Sequence, residues 1–105
     1  MKLAVIEVFG YIYTSIDGGE SWVERTSAGE RTWVSIDSSA DGTKLIAGTD
    51  AYSGDYLRIS TNSGVTWTTI TTVPQNRWRS VTSSADGTKL AAVGMDGNVY
   101  TSVDS

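Results

Sequence analysis

The sequence predicts an all-β chain assembled from repeats of four short antiparallel strands, and three observations lead there. The octapeptide "SSADGTKL" at Ser38–Leu45 recurs unchanged at Ser83–Leu90, 45 positions on. The tryptophans obey the same spacing, Trp22 with Trp67 and Trp33 with Trp78. The composition is rich in Ser, Thr, Gly and Val, with one Pro and no Cys or His. That is the profile of many strands broken by Gly and Asp turns, not of helices. Four strands in a repeat of roughly 40 to 45 residues is the arithmetic of a β-propeller blade. A stacked parallel β-helix would need shorter coils.

The elements follow in order. "MKLAVIEVFGYIYTSID" (1–17) aligns without gaps on "TKLAAVGMDGNVYTSVD" (88–104), pairing Leu3 with Leu90, Gly10 with Gly97 and Tyr13 with Tyr100. This offset of 87 is three short of two full repeats, so the middle repeat carries three extra residues, placed in "GTDAYSGDY" (48–56). Turn regions absorb such insertions at little entropic cost. The first ten residues therefore read as a second strand, not a secretory leader; Glu7 breaks their apolar run and no small-residue cleavage site follows.

Within each repeat the inner strand is "TWVSIDSS" or "RWRSVTSS", and the second is "MKLAVIEV", "TKLIAGT" or "TKLAAVG". The third is "YIYTSI", "YLRIST" or "NVYTSV", and the outer strand is "SWVERT" or "TWTTIT". Alternation and β-branched content support each, and Asp41-Gly42 and Asp86-Gly87 signal hairpins between the first and second strands. The chain thus divides into a partial blade at 1–27, a complete blade at 28–72 and a second partial blade at 73–105.

The turn between third and outer strands carries the most specific motif. "SIDGGESW" places Ser15, Asp17, Gly19, Ser21 and Trp22 in the pattern Ser/Thr-x-Asp-x-Gly-x-Ser/Thr-Trp. "STNSGVTW" repeats it with Ser60, Asn62, Gly64, Thr66 and Trp67, and a third copy begins at Ser102 and Asp104. An Asp or Asn side chain here accepts backbone N–H groups two or three residues on, Gly takes positive φ, and the indole buries itself to pin the hairpin. The pattern resembles the Asp box, or BNR repeat, of sialidase-like and sortilin-like propellers. That resemblance implies a structural turn on the blade rim, away from the ligand face, and names no active site.

Composition narrows the function. The net charge is −4 with eight scattered basic residues, which argues against nucleic acid. No apolar run is long enough for a membrane helix. Without His or Cys the common nucleophilic triads and transition-metal sites are absent, and too few carboxylates converge for calcium. No cofactor is expected. The arginine clamp and paired carboxylates of a sialidase cannot be matched here, so no catalytic residue is assigned and a glycosidase fragment is the weakest reading.

Propeller loops at one end of the blades offer a candidate ligand face: Arg31, Trp33, Asp50, Tyr52, Gln75, Asn76, Arg77 and Trp78. Indole faces flanked by amides and charges suit sugars, although Trp33 and Trp78 recur at repeat spacing as packing residues do. The competing expectations are thus a non-catalytic interaction scaffold and a lectin-like glycan binder. Two and a half blades cannot close a ring, which needs at least four. The sequence therefore predicts association with copies of itself, closing at six blades as a homodimer or, next, a homotrimer. Near-identical repeats fit recent duplication, a piece of a larger propeller, or an engineered chain. Compartment is not legible.

Overall fold

In the computed structural model, which describes residues 2–51 and 54–103, antiparallel strands form three sheets in chain order. The first sheet holds β1 (Leu3–Ile6), β2 (Ile12–Ser15) and β3 (Val23–Arg25). The second holds β4 (Trp33–Ser38), β5 (Leu45–Thr49), β6 (Leu57–Ser60) and β7 (Thr68–Ile70). The third holds β8 (Trp78–Ser83), β9 (Leu90–Gly94) and β10 (Val99–Ser102). Three, four and three strands are the strand order expected of the repeats. Each strand is a little shorter than its sequence segment because side-chain-capped turns take up the ends. A 3₁₀ turn at Thr26–Ala28, which the alternation did not signal, follows β3 and buries Ala28.

Register is fixed by which face is buried, since a one-residue slip would turn every side chain over. β1 meets β2 through Leu3↔Ser15 and Ile6↔Ile12, and β2 meets β3 through Ile12↔Arg25 and Thr14↔Val23. The inner strands β4 and β8 each carry a register shift at the same place, between Trp33 and Ser35 and between Trp78 and Ser80. Such a bulge bends the strand and re-aims a side chain.

The sheets stack face to face, and the repeat is what makes the two seams alike. Between sheets one and two lie Ile12, Ala28, Trp33 and Ala47, with Ile36 and Trp67 packed against them. Between sheets two and three lie Leu57, Trp78, Val81 and Ala92, with Val73 packed against them. Residue for residue these are repeat counterparts: Ile12 with Leu57, Ala28 with Val73, Trp33 with Trp78, Ile36 with Val81, Ala47 with Ala92. Gly48 lets β5 approach the next sheet closely, for a Cβ there would sit 3.0 Å from Trp78 Cβ. Polar bonds register the same seam. Ser35 Oγ accepts the Val81 amide at 3.1 Å and Asp37 Oδ2 accepts the Ser83 amide at 2.9 Å.

The outer faces of the stack break the equivalence. Val5 is 45% exposed where its counterparts Ala47 and Ala92 are 0% and 2% exposed. Val99 is 63% exposed where its counterparts Ile12 and Leu57 are 0% and 5% exposed. One outer face thus repeats the chemistry that its counterparts bury against the preceding sheet, and the other repeats what is buried against the following sheet.

Candidate functional site

The sequence motifs gather in two places: the turns before β3 and β7, and the loops at the opposite end of the strands. At the first turn, Ser15 Oγ donates to Asp17 Oδ1 at 2.8 Å and accepts the Gly19 amide at 2.9 Å. Asp17 Oδ1 accepts the Ser21 amide at 2.9 Å, and the Ser21 hydroxyl donates to the other carboxylate oxygen. The second turn repeats this, with Gly64 N–H on Ser60 Oγ at 2.9 Å and Thr66 N–H on Asn62 Oδ1 at 2.9 Å. Asn62 Nδ2 adds what an aspartate could not, a donated bond to Thr66 Oγ1 at 2.8 Å. The reach differs from expectation: the acceptor takes an amide four residues on, which closes a wider turn. Gly19 and Gly64 hold φ of 98° and 89°, a region that favours glycine.

The two indoles diverge. Each donates its Nε1–H to the turn carbonyl, Trp22 to Gly19 and Trp67 to Gly64, both at 3.0 Å. Trp67 packs into the first seam, whereas Trp22 is 40% exposed. The expected burial of Trp22 is therefore corrected: among the described residues no sheet lies against that side of the first one to cover it. At the third turn Ser102 closes β10, and Asp104 lies outside the described residues.

Hydrogen bonding also sets the charge of these turns. The Ser21 hydroxyl and amide, with the Ser15 hydroxyl, hold the Asp17 carboxyl down at about 2. Asp41 and Asp86, in the hairpins after β4 and β8, behave alike. The Thr43 and Thr88 amides, followed by the Ser39 and Ser84 hydroxyls, bring each carboxyl down to about 2. All three are anchored turn anions rather than proton donors.

At the other end, the loops predicted to converge do so. Backbone bridges join Gly10 to Arg31 and Asp55 to Asn76. Arg31 Nη1 lies 3.3 Å from Asp55 Oδ2, Arg58 Nη1 lies 3.1 Å from the same oxygen, and Arg77 Nε lies 2.7 Å from Asp50 Oδ1. Thr49 Oγ1 also donates to Asp55 Oδ2, at 3.3 Å, and the Tyr56 amide to Oδ1, at 2.8 Å. Burial opposes charge on Asp55, but the Arg58 and Tyr56 hydrogen bonds and the Arg58 and Arg31 charges outweigh it and keep its carboxyl below the usual range. Gln75 stays exposed beside this cluster, and Asn76 caps the Arg77 amide at 2.8 Å. Tyr52 lies outside the described residues.

Trp33 and Trp78 are a correction to the ligand-face expectation. They are 0% and 1% exposed, because the bulge turns both rings into the seams. Trp33 Nε1 donates to Gly29 O at 3.3 Å and Trp78 Nε1 to Asp55 O at 2.9 Å. Trp78 also meets Tyr100 edge to face at 5.5 Å. Neither ring presents a face for a sugar to stack on. What remains is a set of ion pairs tying loops together, with Arg31, Asp50 and Arg77 already engaged. Asp55, the hub, lies within the inserted loop; its role had no signal beyond the three extra residues. Among the described residues no group of three or more acids could hold a metal ion, and no helix is long and apolar enough to cross a membrane.

Comparison with solved structures defines the class. The fold matches the β-propeller domain of Cps50 (Swd1) from Myceliophteria thermophila with a TM-score of 0.71 and 16% identity, over 99% of this chain and 35% of that one. The chain is an all-β propeller segment, its three sheets are blades, and it spans about a third of that propeller's length. At this identity the likeness is one of fold. No protein-family model matches the sequence, and neither does any curated protein.

Proposed function

We propose that this chain is a non-catalytic, Asp-box-type propeller scaffold that completes its ring with copies of itself. The Asp-box reading rests on the two turns, whose Ser, Asp or Asn, Gly and Trp residues each serve the turn's own hydrogen bonds. The scaffold reading rests on what the converging loops contain: two ion pairs that hold Asp55 within the second blade and a third, Arg77 with Asp50, that joins the second blade to the third. One observation carries self-association. The exposed Val5 and Trp22 on the first blade and the exposed Val99 on the last are repeat counterparts of residues that pack inside the interior seams. A face that is complementary to the opposite face of an identical chain makes a heterologous contact, and propeller curvature closes such contacts into a ring.

Six blades close with two copies supplying three each, or with three copies supplying two each. Multi-angle light scattering over a tenfold concentration range tests the proposal. The expected mass is two or three times the 11.2 kDa of one chain; a monomer throughout would overturn it.

A further inference from the structure

The two seams, alike in their centres, differ at the rim. In the first, the second blade's Asp box sits against the first blade: Gly64 lies against Thr14 Cγ2 and the Arg25 side chain, and Ser27 Oγ donates to Val65 O at 2.8 Å. Trp67 then enters the seam. In the second seam the counterparts of Thr14, Arg25 and Ser27 are Ile59, Ile70 and Thr72. These line an open groove of about 490 Å³, closed on its far side by Leu90, Ala92 and Tyr100. The groove occupies the place that an Asp box and its tryptophan fill one seam earlier. Its floor is more apolar than the filled one, with two isoleucines for a threonine and an arginine. Beside it, among the described residues, β10 is the outermost strand of its sheet and pairs along Val99–Thr101 with β9 alone, and an outer strand edge is a template for another strand.

We infer that this groove and edge form the docking site for the Asp-box turn and outer strand of a second copy, residues 15–25, with Trp22 in the groove. The inference rests on the self-association proposed above and specifies how the ring is joined. Strand β3 already knows the partner it would meet. Residues 1–17 match 88–104 without a gap, so β10 offers what β2 offers. The pairs Ile12↔Arg25, Tyr13↔Glu24 and Thr14↔Val23 become Val99, Tyr100 and Thr101 against the incoming Arg25, Glu24 and Val23. Tyr13 donates its hydroxyl to Glu24 at 3.1 Å, and Tyr100 repeats that tyrosine.

The exchange keeps the ladder and swaps its owner, as in domain swapping. β9 and β10 of one copy take the place of β1 and β2 of the next, Val99 is buried as Ile12 was, and the 40% exposed Trp22 is covered. The displaced β1–β2 hairpin is released to solvent, so this joint covers Trp22 and Val99 while Val5, in β1, stays exposed. Each chain then contributes two blades, and three copies close six.

Cross-linking tests this directly, since the chain has no cysteine of its own. Glu20 and Thr72 are the counterparts of Val65 and Ser27, which touch in the filled seam. Glu20→Cys combined with Thr72→Cys is expected to oxidise to a covalent trimer, with neither single variant doing so. Hydrogen exchange on the unaltered chain is a second readout. Amides of β1 and β2 are expected to exchange at least tenfold faster than those of β9 and β10, despite the matching sequences. A dimeric mass, or a trimer that neither cross-links nor shows the exchange difference, overturns the shared blade and leaves self-association standing. A monomer overturns both.

Discussion

Removing one hydroxyl, in Ser60→Ala, tests whether the Ser-x-Asp/Asn turns before β3 and β7 are structural. Ser60 is buried, and its Oγ accepts the Gly64 amide at 2.9 Å while donating to Asn62 Oδ1 at 2.9 Å. Gly64 is itself buried, its outer side closed by Thr14 and Arg25, so water cannot readily replace the lost acceptor. A buried amide left without a partner costs about 1–3 kcal/mol. For a chain of this size each 1 kcal/mol moves the melting midpoint by roughly 4–8 °C. The expected fall is therefore about 4–24 °C, read by circular dichroism at one fixed protein concentration because association would shift the midpoint. Ser15→Ala is the internal control. Ser15 makes the same bonds, but Gly19 is only half-buried on the outer face, so its loss should be smaller. An unchanged midpoint in Ser60→Ala, or a larger loss in Ser15→Ala, would refute the reasoning.

Two further outcomes are expected. The carboxyls of Asp17, Asp41 and Asp86 lie at about 2, below their ordinary 3.8. A depressed carboxyl contributes stability that is present above its unfolded value and lost as pH falls through its folded one. Melting midpoints should hold above about pH 4 and drop between about pH 4 and 2, with Asp41→Asn and Asp86→Asn flattening that drop; a profile that is level to pH 2 would contradict it. Gly48→Val would drive a side chain into Trp78, whose Cβ and Cγ lie 3.0 and 3.3 Å from an added Cβ. Urea denaturation should report a loss of about 1–3 kcal/mol from this overpacking.

The spacing of Trp33 and Trp78 made the repeat legible in the sequence, because each repeat must bury the same positions against its neighbour. Strand order was legible for the same reason. The aim of the tryptophans was not: a one-residue bulge at the same point of β4 and β8 turns both rings inward, and nothing in local alternation announces it. Exposure of Trp22 was illegible because burial depends on a neighbouring sheet, not on the motif. The Ser39–Asp41–Thr43 turn, with Ser39 Oγ 2.7 Å from Asp41 Oδ1 and the Thr43 amide 3.0 Å from the same oxygen, was written in the repeated octapeptide but read only as an Asp-Gly hairpin. The ion pairs of Arg31 with Asp55 and Arg77 with Asp50 join residues 24 and 27 positions apart, beyond any local pattern.

The three inserted residues around Asp55 belong to one blade in each chain, while the other blades turn tightly at the same point. A ring closed by such chains is therefore not six-fold on that rim. Such a ring, if the proposed assembly forms, would present the Asp55 cluster at regular intervals set by the number of chains, two or three times around. A partner reading that end of the ring would meet a low-symmetry pattern of charged posts on an otherwise uniform wheel, enough to fix its rotational setting.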